Sequence, residues 1–456
     1  ADFNNDGLLD YYAIGNGTGN IGTIFFQNQD GTFTKDDTSF TGTNLIDPDV
    51  TVLDFNNDGY LDMFICAWDD NAKSRISELL INDAFGHFTA MAQPNLIQKG
   101  YGSAVWADVD GDGWLDLLLN GDGGANDEAS SDIYRLYKNN GGVLVPKATF
   151  NDYRQISVGD GARMVDWNND GKLDVILSGW SNTKSRQVTM LFTCTDAANF
   201  TFVEDPLSSI LPGVSESSIE TADLNNDGKI DLLITGGNYG STAGLTPFIT
   251  GYVLNTTSAV NAKPTAPTGL ATENTGTDPI VLTWNAATDD HTPANSLTYN
   301  VSLKNTTTGK WLYNPMAVMD GANDGWRKVG GEMGNVGTNK RWELYNLAAG
   351  NYEWSVQAID ANFTGGSFAT KQTFVVRPTA INTIRLNTNV HIFAAEGKLH
   401  IESSNSENLL VSVYSITGKL MSQFNTKVVN SVSLNHGAYL VTLSDGTDVK
   451  TQKVIL

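Results

Sequence analysis

The chain has 456 residues, enough for two to four domains, and 40% of them are hydrophobic, which is ample material for buried cores. Its 51 acidic and 28 basic residues give a net charge of −23, which argues against nucleic acid as a partner because phosphate binding needs a basic surface. No apolar run reaches the roughly 18 residues of a transmembrane helix. Abundant glycine and the lack of long amphipathic helical patterns favour turn-rich β structure.

One acidic stretch recurs five times, starting close to the N-terminus. Successive copies start 52, 54, 58 and 57 residues apart. Between the copies, alternating segments, short apolar runs and turns predict four short antiparallel strands in each unit of about 55 residues, which is typical of β-propeller blades. We number the copies loop 1 to loop 5: DFNNDGLLD (2–10), DFNNDGYLD (54–62), DVDGDGWLD (108–116), DWNNDGKLD (166–174) and DLNNDGKID (223–231).

Each loop places oxygen ligands at the spacing that a hard divalent cation requires. The first half of an EF-hand loop binds Ca²⁺ through positions 1, 3, 5 and 7, the last by a backbone carbonyl, with Gly at position 6 for the turn. Here an Asp at position 9 adds a carboxylate, whereas no Glu stands at position 12 and no helices flank the loops, so they are not EF-hands. All-oxygen ligands favour Ca²⁺ over zinc, copper or iron, and the crowded site disfavours Mg²⁺.

We therefore predict about five structural Ca²⁺ ions, one in each loop, that staple the repeats rather than perform chemistry. The alternative is an Asx-rich turn without metal, but a plain turn does not require Asp at fixed offsets five times over. The predicted ligands, with the position-7 carbonyl last in each set, are Asp2, Asn4, Asp6, Asp10 and Leu8; Asp54, Asn56, Asp58, Asp62 and Tyr60; Asp108, Asp110, Asp112, Asp116 and Trp114; Asp166, Asn168, Asp170, Asp174 and Lys172; and Asp223, Asn225, Asp227, Asp231 and Lys229.

The segments SAVWADVDGDGWLDLLLNG (103–121) and SSIETADLNNDGKIDLLITGG (217–237) resemble FG-GAP/VCBS repeats, as found in integrin α-subunit propellers and many bacterial surface proteins. The resemblance covers residues 1–258 and implies a propeller with Ca²⁺ between the first and second strands of each blade. Family members are commonly seven-bladed, whereas five loops are present here and the first lacks a preceding strand. We expect an N-terminally incomplete ring; the alternative is a closed five-bladed ring in which a late strand completes the first blade.

A stretch rich in Pro, Ser, Thr and Ala predicts a linker at 259–267. Beyond it, residues 268–377 alternate apolar and polar positions, and Trp284, together with Tyr352 and Trp354, favours an Ig-like sandwich. The pattern L-x-x-G-x-Y-x-W-x-V-x-A-x-D at 347–360 resembles fibronectin type III modules, in which residues 321–340 would be a long insertion.

A second predicted linker, at 378–383, leads to residues 384–456. The patterns V-x-V-Y-x-x-x-G-K (411–419) and L-x-x-G-x-Y-L-V (434–441), followed by a terminal strand with Lys453, resemble the C-terminal sorting domain of the Bacteroidetes type IX secretion system. The resemblance implies export across the outer membrane to the cell surface, with this domain docking to the secretion shuttle and often cleaved during attachment. The alternative is a plain small sandwich.

The sequence shows no catalytic constellation. The five His lack metal spacing, and no G-x-S-x-G or P-loop occurs. Trp68 and Trp180 follow the position-9 Asp of their repeats by six residues and are candidate residues for binding a sugar or a protein, unless they pack between blades. The sequence favours an adhesion or ligand-binding module with an unknown surface ligand. The alternative is a polysaccharide lyase or hydrolase, on the propeller face or in missing N-terminal residues, since carboxylate distances are invisible in sequence.

Overall fold

Short β-strands form nearly all the regular structure, which confirms the predicted all-β class. The computed structural model describes all residues except 16–20, 37–43, 122–132, 155–160, 226, 239–247, 275–277, 322, 378–389, 396–397, 404–408, 417, 427–428, 435–436, 445–448 and 456. Among the described residues, the helical content is one short 3₁₀ turn over Pro206–Ser209, and no helix is long and apolar enough to cross a membrane.

The five repeats supply strands β1 to β18, and loops 2 to 5 each lie between the first and second strands of a repeat. The third and fourth repeats share one sheet of eight strands because β11 pairs with β13. By repeat, the strands are β1 Tyr11–Gly15, β2 Ile21–Gln27 and β3 Phe33–Asp36; β4 Leu45–Leu53, β5 Asp62–Asp69, β6 Ser74–Asn82 and β7 Phe88–Met91; β8 Ala104–Ala107, β9 Asp116–Leu119, β10 Ile133–Asn139 and β11 Leu144–Arg154; β12 Ala162–Val165, β13 Asp174–Ser181, β14 Arg186–Asp196 and β15 Thr201–Glu204; and β16 Ser215–Ala222, β17 Asp231–Gly237 and β18 Phe248–Val253.

The apolar run after each loop becomes a strand that is buried on both faces. In β5, Met63 and Ile65 join the core shared with the first repeat, whereas Phe64 joins the core shared with the third. The same alternation occurs in β13, where Val175 faces the third repeat and Ile176 the fifth. Because successive side chains of a strand point to opposite faces, an uninterrupted apolar run can serve two neighbours at once. The repeats therefore stack face to face; the number of blades in a complete ring stays a prediction.

Two further sheets follow the repeats and form what we call the middle module, residues 268–376. One sheet has the order β19-β20-β23 and the other β22-β21-β24-β25. Trp284 and Trp354 pack together in the core between them, and the hydroxyl of Tyr352 donates to the carbonyl of Ala348 at 2.6 Å. The fibronectin type III assignment stays a prediction. The strands are β19 Thr268–Glu273, β20 Ile280–Asn285, β21 Thr298–Asn305, β22 Trp311–Tyr313, β23 Arg341–Leu344, β24 Gly350–Ile359 and β25 Gln372–Val376.

The chain divides into two units, Ala1–Val376 and Arg377–Leu456, and the predicted linker at 378–383 lies outside the described residues. The second unit has sheets of order β26-β27-β30 and β29-β28-β31-β32, with Leu399, Val411 and Val441 in the core. Its strands are β26 Val390–Ala395, β27 Lys398–Ser403, β28 Leu409–Ser415, β29 Leu420–Thr426, β30 Val429–Ser433, β31 Ala438–Ser444 and β32 Val449–Ile455.

Candidate metal centres

All five loops are held in shape by the same bonds between their carboxylates and their own backbone. In loop 1, Asp2 Oδ1 accepts from the N–H of Asp6 at 3.1 Å and Oδ2 from that of Gly7 at 2.8 Å, while Asp6 Oδ1 accepts from Leu8 N–H at 2.9 Å. The corresponding bonds recur in the other four loops. Each loop is therefore wrapped around the carboxylate at position 1.

Two positions of the turn adopt the left-handed backbone conformation in loops 1 to 4. The Gly at position 6 does so, as predicted, with φ of 82° at Gly7 and 92° at Gly59. Position 4 does so as well, at Asn5 (54°) and Asn57 (55°), with Gly in that position of loop 3. Asn and Gly are the residues that tolerate this conformation best, so their presence at position 4 was a signal that the sequence analysis did not use.

The Asp at position 9 ties each loop to a later strand of its repeat or to the residues just after that strand. Asp116 is fully buried; its Oδ2 accepts from Val109 N–H at 2.9 Å and its Oδ1 from Asn139 N–H at 2.8 Å. Burial, with the nearby charges of Asp110 and Asp108, raises the pKa of this carboxyl to about 8. The position-9 carboxylates of the other loops make the same pair of bonds. Closely spaced buried carboxylates are either protonated or compensated by a positive charge.

Loop 3 offers the clearest fit for a cation. Carboxylate oxygens of Asp108, Asp110 and Asp116 lie within 4.8 Å of one another. Asp110 Oδ1 is buried and has no hydrogen-bond partner, which is costly for a charged oxygen. Hard oxygen donors at this spacing suit Ca²⁺, so the residues present fit the predicted ion. Calcium binding itself stays a prediction.

Lysine side chains lie beside carboxylates of three of the loops, a contact that was not predicted from the sequence. Lys138 in β10 contacts Asp110 Oδ2 and also lies 2.7 Å from Asp112 Oδ2. In loops 4 and 5 the lysine at position 7 approaches the Asp at position 5, at 2.8 Å for Lys172 and 3.7 Å for Lys229. These ammonium groups offset part of the negative charge of the loops.

Three asparagines link neighbouring repeats and were missed in the sequence. The Nδ2 of Asn82 donates to the carbonyl of Phe3 at 2.8 Å, so the second repeat holds position 2 of loop 1. Each asparagine also follows a position-9 Asp by 20 to 24 residues, so aligning the repeats could have identified the set. The other two bonds are Asn139 to Phe55 at 3.1 Å and Asn255 to Trp167 at 2.7 Å.

The two tryptophans predicted to contact a ligand lie at equivalent places near the ends of β5 and β13, both half-buried. Trp68 stacks on Tyr101, with ring centroids 6.0 Å apart, and the Arg75 guanidinium lies 5.2 Å from the Trp68 ring centroid. Trp180 pairs with Gln187 across the sheet. Their role in ligand binding stays a prediction.

The predicted insertion at 321–340 forms one wall of a cavity. The cavity has a volume of about 570 Å³, and its other wall comes from β4, β8 and β12, the first strands of three repeats. Its lining includes Asp49, Arg163, Met164 and Met333. A cavity of this size can hold a small ligand. The sequence could not reveal it because the insertion lies far along the chain from these strands.

Comparison with known proteins agrees with the repeat and tail assignments. The C-terminal residues 395–456 match the family model described as "Secretion system C-terminal sorting domain", which identifies the protein as a substrate of type IX secretion, exported and attached to the cell surface. No curated protein matches the chain. Among solved structures, the chain is similar to "Crystal structure of chicken CNTN1 FN1-FN3 domains", with 11% identity, coverage of 65% of this chain and 98% of that chain, and a TM-score of 0.18, too low to carry an argument.

The model described as "FG-GAP-like repeat" matches residues 2–65, 54–119, 108–177 and 166–234. Each match begins at one acidic loop and ends shortly after the next one. The matched unit is therefore the same repeat that the loops and their strands define. Together the four matches extend over residues 2–234, more than half of the 456 residues. The chain therefore belongs to the family of proteins with FG-GAP-like repeats, and it carries a type IX sorting domain at its C-terminal end.

Proposed function

We propose that this secreted, cell-surface protein is a Ca²⁺-dependent adhesion or ligand-binding protein. In this proposal five Ca²⁺ ions stiffen the stacked repeats, and the repeats present a surface to a protein or glycan outside the cell. The sorting domain at 395–456 supplies the route to the surface. The role of the ions is structural, because each predicted site is closed by ligands from a single short loop.

The observation that carries the proposal is the arrangement of carboxylates in loop 3. The side chains of Asp108, Asp110, Asp112 and Asp116 and the carbonyl of Trp114 would hold the ion. When bound, the ion supplies positive charge to carboxylates that are otherwise buried close together. The unpartnered Asp110 Oδ1 supports this role, since a polar atom is rarely left buried without a partner.

The cluster of Trp68, Tyr101 and Arg75 is the proposed ligand contact. Aromatic rings offer apolar area with little loss of side-chain entropy, and Trp, Tyr and Arg are the residues most enriched at the energetic centres of protein interfaces. Aromatic faces also suit the apolar faces of sugar rings. The proposal therefore covers both protein and glycan ligands, which a binding screen can separate.

The test combines a stability measurement with a binding screen. We expect EDTA to lower the melting temperature of the purified chain and excess Ca²⁺ to restore it. We expect saturable binding to a glycan array or to surface-protein panels in Ca²⁺, lost in EDTA and weakened by Trp68→Ala. The control is Trp326→Ala, which removes a tryptophan that is exposed on the middle module.

An unchanged melting temperature in EDTA would contradict the structural role of calcium. Turnover assays on every ligand found provide the second arm. Release of cleaved products would contradict a binding-only function and favour an enzyme acting on polysaccharides.

A further inference from the structure

The middle module contacts the same carboxylates that form the predicted metal sites. The Asp at position 1 of each of the first three loops accepts one side-chain hydrogen bond from the module. All three donors reach Oδ2, the oxygen that also accepts from the loop glycine. The pairs are Tyr313 hydroxyl to Asp2 at 2.6 Å, Asn339 Nδ2 to Asp54 at 2.9 Å and Ser296 hydroxyl to Asp108 at 2.7 Å.

The fourth loop is contacted at its backbone and at the side chain of Asn169, and the fifth at its backbone. Asn362 of the module is buried; its Oδ1 accepts from the N–H of Asp166 at 3.0 Å and its Nδ2 donates to Asn169 Oδ1 at 2.7 Å. At loop 5 the N–H of Asn261, in the predicted linker, donates to the carbonyl of Gly228 at 3.1 Å. Among the described residues, side-chain hydrogen bonds from the module to a position-1 carboxylate are thus found at loops 1 to 3.

Close packing accompanies these bonds at loop 1. A Cβ atom built on Gly7 would lie 2.6 Å from Leu312 Cδ2 and 2.9 Å from Leu347 Cδ2. The N–H of Tyr345 donates to the carbonyl of Asn5 at 2.6 Å. The glycine turn of this loop is therefore also a packing contact with the module.

The module buries negative charge without neutralising it. Its three donors are a tyrosine, an asparagine and a serine, all uncharged. Asp2, Asp54 and Asp108 are all buried. An ionised carboxylate covered in this way is unfavourable unless a cation lies beside it. Docking of the module on the loops is therefore most favourable when the loops hold a cation.

We propose that the middle module is a cation-dependent cover for loops 1 to 3: its docking on these loops and their loading with Ca²⁺ strengthen each other. This inference rests on the proposed calcium function. The coupling is reciprocal, because a ligand that stabilises the docked state must bind more tightly when that state is favoured. A cation reduces the cost of burying the position-1 carboxylates, and the module donors orient those carboxylates toward it.

The experiment is a Ca²⁺ titration of the full chain followed by hydrogen–deuterium exchange, with the loops and the module read as separate peptides. We expect Ca²⁺ to slow exchange in loops 1 to 3 and, with the same midpoint, in the module segments 293–299 and 311–317. Ser296→Ala removes the donor to loop 3. A hydrogen bond to a charged group stabilises the docked state more than a bond between neutral groups does. We therefore expect the Ca²⁺ concentration at the midpoint of loop 3 to rise about tenfold and that of loop 5 to stay unchanged.

Ser296 is the better probe because Tyr313 has a second role, accepting from Trp342 Nε1 at 3.2 Å inside the module core. The matched control is Ser367→Ala, at an exposed position of the module, which we expect to leave every midpoint unchanged. If the loops gain protection while the module segments do not respond, or if Ser296→Ala leaves the loop 3 midpoint unchanged, the coupling is wrong and the calcium function stands. If Ca²⁺ protects none of the loops, the calcium function itself fails, and the coupling with it.

Discussion

Loop 1 and loop 5 share one nine-residue motif but lie in different surroundings. Asp2 is buried beneath Tyr313 of the middle module, whereas Asp223, its counterpart in loop 5, is only partly buried. Both make the same internal bonds to the N–H groups at positions 5 and 6. The motif thus determines the shape of the loop, while its exposure and charge environment depend on what packs against it.

The difference teaches that identical predicted ligands need not give identical sites. Burial strengthens electrostatic interactions because the effective dielectric constant falls. A cation in loop 1 would compensate covered carboxylates, whereas one in loop 5 would sit closer to solvent.

The largest expected effect concerns the position-9 carboxylate, which loops 1 and 5 share. Asp10→Ala and Asp231→Ala each remove a buried carboxylate that accepts from two backbone N–H groups. Leaving those donors buried without partners costs about 3 kcal/mol of unfolding free energy in each case. Urea denaturation in EDTA measures the loss, and a difference of more than about 1 kcal/mol between the two variants would show that the loops are not built alike.

A second prediction concerns the anchor between loop 5 and the module. Asp360 Oδ2 accepts from Asn261 Nδ2 at 2.6 Å, and Asn261 in turn bonds to loop 5. Burial, with the nearby charge of Asp289, raises the pKa of Asp360 to about 7. The folded state then binds a proton that the unfolded state releases above its ordinary pKa of 3.8, so stability falls as pH rises through about 7.

We expect the unfolding free energy of the Ca²⁺-saturated protein to fall by about 2 to 3 kcal/mol between pH 5 and pH 8 from this group. Asp360→Asn should remove that share of the pH dependence. Parallel pH profiles for the variant and the parent protein would argue against a protonated Asp360 in the fold.

A third prediction isolates the packing of the module on loop 1. Gly7→Ala and Gly59→Ala both place a side chain at left-handed φ, but a Cβ at Gly59 meets nothing within 4 Å. The strain is common to both, so overpacking against Leu312 and Leu347 should make Gly7→Ala the more destabilising by about 1 to 2 kcal/mol. Thermal unfolding of both variants measures the difference. Equal losses would mean that the module yields at this contact without cost.

The smallest expected effect concerns Lys138. Its ammonium group lies beside Asp110 and Asp112 and competes with a cation in loop 3. We expect Lys138→Met to lower stability in EDTA by about 0.5 to 1 kcal/mol and to raise the Ca²⁺ affinity of loop 3 several-fold. Lys172→Met, at a more exposed pair in loop 4, is the comparison variant and should show weaker effects. An unchanged loop 3 affinity would rule out competition by Lys138.

Local pattern predicted much of the fold. The acidic motif predicted each turn because its Asp and Gly requirements lie within nine residues, and the apolar runs after it predicted strands that are now seen buried on both faces. The cover could not be predicted in this way. Tyr313 and Asp2 are 311 residues apart, and Asn339 and Asp54 are 285 apart. A tyrosine or asparagine carries no sign of a distant carboxylate partner, so only the folded chain reveals the contact.

Calcium counting tests the central claim most directly. The purified full chain is equilibrated with Ca²⁺, freed of unbound ion by dialysis, and analysed for metal content against protein concentration. The account predicts about five Ca²⁺ per chain, one for each loop, removed by EDTA with a fall in melting temperature. A content well below one ion per loop, with the melting temperature unchanged by EDTA, would contradict it.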